Sequence, residues 1–213
     1  MKKRFGQSTT TLSSQPAALR PVVIVSGLPR SGTSMMMKML AAGGIPPLTD
    51  ALRAADSDNP RGYYEFERVK QLDKGDTAWL PLAEGKAVKV ISALLKHLPA
   101  DHNYQVIFLR RHMAEVLASQ RKMLIRRGED PREMDDAQVT LLFERHLQQV
   151  EQWLAERPNF EVLYVHYSDI MADPLPEINR VGRFLGRDLD LRAMAEAIDP
   201  GLYRNRQPEV APA

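Results

Sequence analysis

Four consecutive β-branched residues, Val22-Val23-Ile24-Val25, run into Ser26-Gly27 and then into Leu28-Pro29-Arg30-Ser31-Gly32-Thr33-Ser34. This stretch limits the fold more than any other. An apolar run without polar alternation predicts a strand buried on both faces, as in a parallel sheet covered by helices. Gly27 and Gly32 allow tight backbone turning after the strand. A helix is then expected over 33–42, stopped by Gly43-Gly44 and Pro46-Pro47. Strand, glycine-rich loop and helix N-terminus in that order make a cradle for a phosphate-like anion. The loop N–H groups point inward and the helix end adds positive potential. The alternative is a plain turn between strand and helix, with no ligand.

The rest of the chain repeats the alternation. Further strands are expected over 87–91, 105–109 and 161–165, each an apolar or β-branched run. Between them, Met113, Val116, Leu117, Gln120 and Leu124 follow a helical period, as do Val139, Leu142, Phe143, Leu147, Val150 and Leu154. Asp173-Pro174 offers an N-cap and a first-turn proline to a helix ending near Gly186. A helix is also expected over 68–80. Strands alternating with helices imply a single α/β domain, a P-loop-like parallel sheet with helices on both faces. Residues 1–20, rich in Ser, Thr and Gln, are expected to be a disordered tail, 21–207 the domain, and 208–213 a second short tail.

The spacing Gly27-x4-Gly32 matches the loop of P-loop nucleotidases, but Thr33 stands where their lysine belongs, and Ser34 keeps the hydroxyl position. The usual neutralisation of β- and γ-phosphates is therefore missing. Arg30, inside the loop, supplies a cation instead. Met35, Met36 and Met37 read as packing residues of the helix that follows.

Composition excludes several chemistries. The sequence holds no cysteine, which rules out a disulfide scaffold, a thiolate metal site and a thiol nucleophile. The five histidines include no HExxH and no pair at helical i, i+4 spacing, so no metal is expected. Twenty-nine basic residues against 27 acidic ones leave a net charge of +2, too balanced for a nucleic-acid surface. No apolar run reaches the roughly 20 residues of a transmembrane helix, and no signal peptide follows the basic start, so a cytoplasmic chain is expected. The oligomeric state is not legible.

The third strand ends in Arg110-Arg111-His112, and Ser119 lies eight residues after Arg111 on the following helix. In open α/β sheets ligands sit beyond the carboxyl ends of strands. Arg30, Lys89 and Arg111 all fall at or near such ends. Together these residues resemble the sulfotransferase family, which uses 3′-phosphoadenosine 5′-phosphosulfate (PAPS) as sulfuryl donor. The family's 5′-phosphosulfate loop matches Arg30-Ser31-Gly32-Thr33-Ser34, and its 3′-phosphate motif matches Arg111 with Ser119. A third motif matches Tyr167-Ser168-Asp169-Ile170, Asp173-Pro174 and Phe184-Leu185-Gly186. The resemblance spans residues 22–186 and implies a P-loop-like α/β fold, PAPS as donor, adenosine 3′,5′-bisphosphate as product and no metal. It also implies that Tyr167 lies near the adenine, and it offers Arg204, within Tyr203-Arg204-Asn205-Arg206, as a further donor contact.

The chain departs from the family at two places. His112-Met113 replaces the common Asn-Pro after the arginine. Cytosolic members carry Lys-Thr-His on the second strand, the histidine being their base; here the run is Lys89-Val90-Ile91, so the lysine stays and the histidine is gone. The chain is also shorter than most members. For a base we turn to Gly62-Tyr63-Tyr64-Glu65-Phe66-Glu67, after the turn signal Asp58-Asn59-Pro60-Arg61. It sets two carboxylates among aromatics, where desolvation favours proton uptake. Glu65 is preferred, since Glu67 reads as the exposed start of a helix; both glutamates serving only to begin that helix is the alternative. Arg30 and Lys89 are expected to stabilise developing charge. The expected function is sulfuryl transfer to a hydroxyl, or less favourably an amine, of a small-molecule, glycan or lipid acceptor. A P-loop small-molecule or nucleotide kinase and a non-catalytic nucleotide-binding module stay open.

Overall fold

The computed structural model describes residues 20–50, 64–130, 135–199 and 201. The expected tails (bar Arg20), the Asp58-Asn59-Pro60-Arg61 turn and Arg204 lie outside the described residues. Four strands, β1 (Val22–Gly27), β2 (Ala87–Lys89), β3 (Tyr104–Arg110) and β4 (Phe160–His166), pair in parallel in the order β2-β1-β3-β4. All six residues of β1 are buried. Such burial contributes about 1.5–3 kcal/mol per valine or isoleucine side chain.

The pleat of β1 divides the core in two. Val22 and Ile24 point to one face, where the 3-10 helices Glu67–Lys74 and Ser92–His97 pack with α2 (Leu80–Ala83) and α4 (Asp136–Ala155). Val23 and Val25 point to the other face, covered by α1 (Thr33–Ala42), α5 (Tyr167–Ala172), α6 (Pro174–Leu185) and α7 (Leu191–Glu196). The three methionines after the loop all belong to this second face: Met36 and Met37 are fully buried in its cluster, and Met35 packs against it in part. Helix α3 (Met113–Arg126) leaves the end of β3 and joins α4, whose N-cap Asp135 accepts from the N–H of Ala137 and Gln138.

Two expected elements differ. The helix expected over 68–80 is a 3-10 helix over Glu67–Lys74, then a separate turn of α-helix, α2. Gly75, at φ 85°, takes the left-handed conformation that ends helices, and the chain turns there. Trp79 is then buried, with its Nε1 donating to the Asp76 carbonyl at 2.9 Å. The second strand stops at Lys89, because Ile91 turns the chain into the 3-10 helix over Ser92–His97.

The strand order sets the position of the site. From β1 the chain crosses to β2 on one side, then returns past β1 to β3 on the other. The connections leaving β1 and β3 therefore diverge above Gly27 and Arg110, opening the crevice where ligands bind in such sheets.

One contact on the first face gives a pH-dependent prediction. His146 of α4 meets Ser92 through Nε2 at 2.8 Å. Burial, and secondarily the charge of Lys96, push its imidazole below the ordinary histidine range. A group held neutral by the fold contributes stability that is whole above its unfolded pKa of about 6.5 and is lost as pH falls. Urea unfolding is expected to show stability falling between about pH 7 and pH 5, with a shallower fall in His146→Gln. An identical slope in the variant would contradict this.

Candidate active site

The loop after β1 is shaped by its glycines. Gly27 sits at φ 145°, and a side-chain carbon there would come within 2.5 Å of Ser31 Oγ and 2.6 Å of the Leu109 carbonyl oxygen. Gly32 sits at φ 102°, where such a carbon would meet Tyr167 Cδ2 at 2.5 Å. Both positions require glycine for conformation and for room. Between them Arg30 takes φ 71°, a left-handed conformation unusual for a side-chain-bearing residue. Helix α1 begins with Gly32 as N-cap, no capping side chain and no acidic residue in its first turn. Its first N–H groups thus keep the positive end of the helix open to an anion. Ser31 is 1% exposed, and its Oγ has no hydrogen-bond partner among the described residues. A buried, unsatisfied hydroxyl in such a loop fits an oxyanion acceptor.

The expected second phosphate motif folds onto this loop. Arg111 Nη1 donates to the Arg30 carbonyl at 3.1 Å, its Nε pairs with Glu115 at 2.9 Å, and its guanidinium lies 4.3 Å from the centre of the Tyr167 ring. Arg30 Nε in turn donates to Ser119 Oγ at 2.9 Å. The pleat separates the two arginines of the motif. Arg110 turns away, over the Tyr164 ring at 4.2 Å and against Glu151 at 2.6 Å.

From the other side comes β2. Lys89 Nζ donates to Ser34 Oγ at 3.3 Å, bringing a lysine from another strand to the loop that lacks its own. Lys89 also pairs with Glu65 at 3.5 Å, and Lys70 reaches the other carboxylate oxygen at 3.6 Å. The Glu65 side chain is 18% exposed, whereas Glu67 is 42% exposed and paired with Lys70. The backbone of Glu65 is pinned: its carbonyl accepts from Thr49 Oγ1 at 2.8 Å, and Tyr64 before it takes φ 51°. A non-glycine residue so held stores about 1–3 kcal/mol of strain, which surrounding contacts must hold in place.

One cavity of about 410 Å³ gathers these groups. Arg30, Gly32, Thr33 and Ser34 line it from the loop, Glu65 and Lys89 from the β2 side, and Arg111 and Tyr167 from the β3–β4 side. Ser119 reaches it through Arg30. Ser31 lines a second cavity of about 300 Å³ that includes Arg110 and Arg111. Among the described residues, five cationic side chains and one carboxylate face the larger cavity.

The sequence-family profile of the sulfotransferase domain matches residues 20–203. The chain belongs to the sulfotransferase family. The sulfotransferase domain of the Synechococcus PCC 7002 olefin synthase is similar in structure, with 19% identity, 92% of each chain covered and a TM-score of 0.55. A Mycobacterium tuberculosis sulfotransferase shows 18% identity over 87% of this chain and 74% of its own, with a TM-score of 0.56. No curated protein matches the sequence. The sulfotransferase fold thus agrees with the single α/β domain and P-loop-like sheet expected above.

Two residues of this candidate site were not anticipated. Glu115 is 3% exposed and holds Arg111 from one helical turn away, a spacing readable on α3. Lys70 gives no such signal, because a 3-10 turn rather than an α-helix carries it to Glu65. Gly32→Ala tests the loop geometry directly. We expect thermal unfolding to report a loss of about 1–3 kcal/mol, and an unchanged melting temperature would show that Tyr167 does not pack on Gly32.

Proposed function

We propose that this chain transfers the sulfuryl group of PAPS to the hydroxyl of a small-molecule acceptor. The observation that carries the reading is the convergence of Arg30, Lys89, Arg111 and Glu65 on one cavity at the switch point of the sheet. PAPS supplies a sulfuryl group already activated as a phosphosulfate anhydride. The N–H groups of residues 31–34 and the Ser31 hydroxyl would hold the 5′-phosphosulfate, Arg111 and Ser119 the 3′-phosphate, and Tyr167 the adenine side. The open N-terminus of α1 and the unsatisfied Ser31 Oγ support this assignment.

Glu65 is the proposed base. It takes the proton of the acceptor hydroxyl as that oxygen bonds to sulfur. The bond from sulfur to the departing phosphate oxygen breaks, and Lys89 and Arg30 balance the negative charge gathering on that oxygen. Fixed cations in a partly enclosed site stabilise such charge without having to reorganise during the step. Lys70, paired with the same carboxylate, keeps Glu65 turned into the cavity. The reading assigns no step to a metal ion.

Calorimetric titration with adenosine 3′,5′-bisphosphate, with ATP for comparison, tests the donor assignment. Bisphosphate binding indifferent to Mg²⁺ is expected. ATP binding that depends on Mg²⁺ would instead indicate a kinase. Arg111→Ala should weaken the bisphosphate by about 10–100-fold, the loss of charge-assisted hydrogen bonds to a phosphate; equal affinity would remove Arg111 from the site.

Glu65→Gln separates binding from chemistry. It should keep bisphosphate affinity while turnover falls by about 100-fold or more, the usual contribution of a general base. A fully active variant would reassign the base.

A further inference from the structure

The cavity extends beyond the groups assigned to donor and base. Ser119, Met123 and Arg127 follow one another at i, i+4 and i+8 along α3 and its C-cap, so they share one stripe. Ser119 bonds Arg30, while Met123 and Arg127 line the cavity further along. On the β2 side, Phe66, Val69, Ile91 and Leu94 are among the apolar residues that line it. Ile91 is 41% exposed there. Exposed apolar surface in a concave site marks where an apolar ligand body is covered.

The charges lining the cavity are unequally engaged. Arg30 bonds Ser119, Arg111 pairs with Glu115, and Lys70 and Lys89 both hold Glu65. Arg127 differs. Its guanidinium has no hydrogen bond or ion pair among the described residues, yet it lines the same cavity. A guanidinium beside apolar walls, with no carboxylate of its own, is arranged to take an oxyanion in a bidentate pair.

Resting on the sulfotransferase reading above, we propose that the acceptor is an amphipathic hydroxy acid. Its hydroxyl faces Glu65, its apolar body covers Ile91, Leu94 and Met123, and its carboxylate pairs with Arg127. Arg127 is then the residue that selects acceptors carrying an anion over neutral alcohols. A polyhydroxylated sugar, with no apolar body, would leave Ile91 and Leu94 uncovered.

The test is equilibrium binding to the full chain saturated with adenosine 3′,5′-bisphosphate, after bisphosphate affinity itself has been measured. The probes are 12-hydroxydodecanoate and dodecane-1,12-diol, of equal length and differing in the carboxylate. The acid is expected to bind about tenfold or more tightly than the diol. Arg127→Gln should erase that preference, Arg127→Lys should restore part of it, and bisphosphate affinity should be the same in all three chains. Failure of the native chain to bind bisphosphate would overturn the sulfotransferase reading itself. With bisphosphate bound, equal binding of the two probes, or binding of neither, would overturn the hydroxy-acid acceptor alone. A preference that survives in Arg127→Gln would do the same, and so would a loss of bisphosphate affinity in that variant, which would assign Arg127 to the donor.

Discussion

The guanidinium of Arg111 ties the site together. Its side chain is 8% exposed, and a charge so buried is costly unless paired and hydrogen-bonded. Here Glu115 balances the charge, the Arg30 carbonyl takes a further N–H, and the Tyr167 ring receives the flat face. Those partners belong to α3, the loop after β1 and α5. One side chain at the end of β3 therefore sets the positions of three separate segments. Removing Glu115 would leave an uncompensated charge in the interior, so the pair acts as a unit. Tyr167 in turn presses on Gly32, and the loop can take its path because glycine stands there.

Around this anchor the chain concentrates positive charge that its total conceals. A net charge of +2 over 213 residues describes a nearly neutral protein, yet among the described residues five cations and one carboxylate face a single cavity. The uncapped end of α1 adds to the same field. Lys89 brings an ammonium group to the loop that lacks its own lysine, reaching Ser34 from β2 rather than from within the helix. The carboxylate of Glu65 is thereby held by two ammonium groups at the one place where the field calls for a negative partner.

Much of this was readable before the fold was known, for identifiable reasons. The uninterrupted apolar run of β1 announced a doubly buried strand, and the glycines after it announced the loop, because both depend on local chemistry. Arg111 and Ser119 are linked in the sequence only by the family motif they resemble, an arginine at a strand end and a serine eight residues on, and in the fold Ser119 bonds Arg30 instead. The pairing of Lys89 with Ser34 was not legible, since it joins residues 55 apart through strand order. The separate fates of Arg110 and Arg111 depend on the pleat of β3, which adjacent arginines do not reveal. The helix expected over 68–80 ends at Gly75, whose left-handed conformation turns the chain before α2 begins. The aromatic neighbours of Glu65 in sequence single it out, whereas its ion-pair partners in the fold are lysines from two other segments.

The central claim is that the loop of β1 and the end of β3 form one bisphosphate site. A crystal structure of the chain with adenosine 3′,5′-bisphosphate tests it most directly. The account predicts the 5′-phosphate on the N–H groups of residues 31–34 and the 3′-phosphate on Arg111 and Ser119. A bisphosphate bound with neither phosphate on the loop, or with Arg111 still turned wholly onto the Arg30 carbonyl and Glu115, would contradict it.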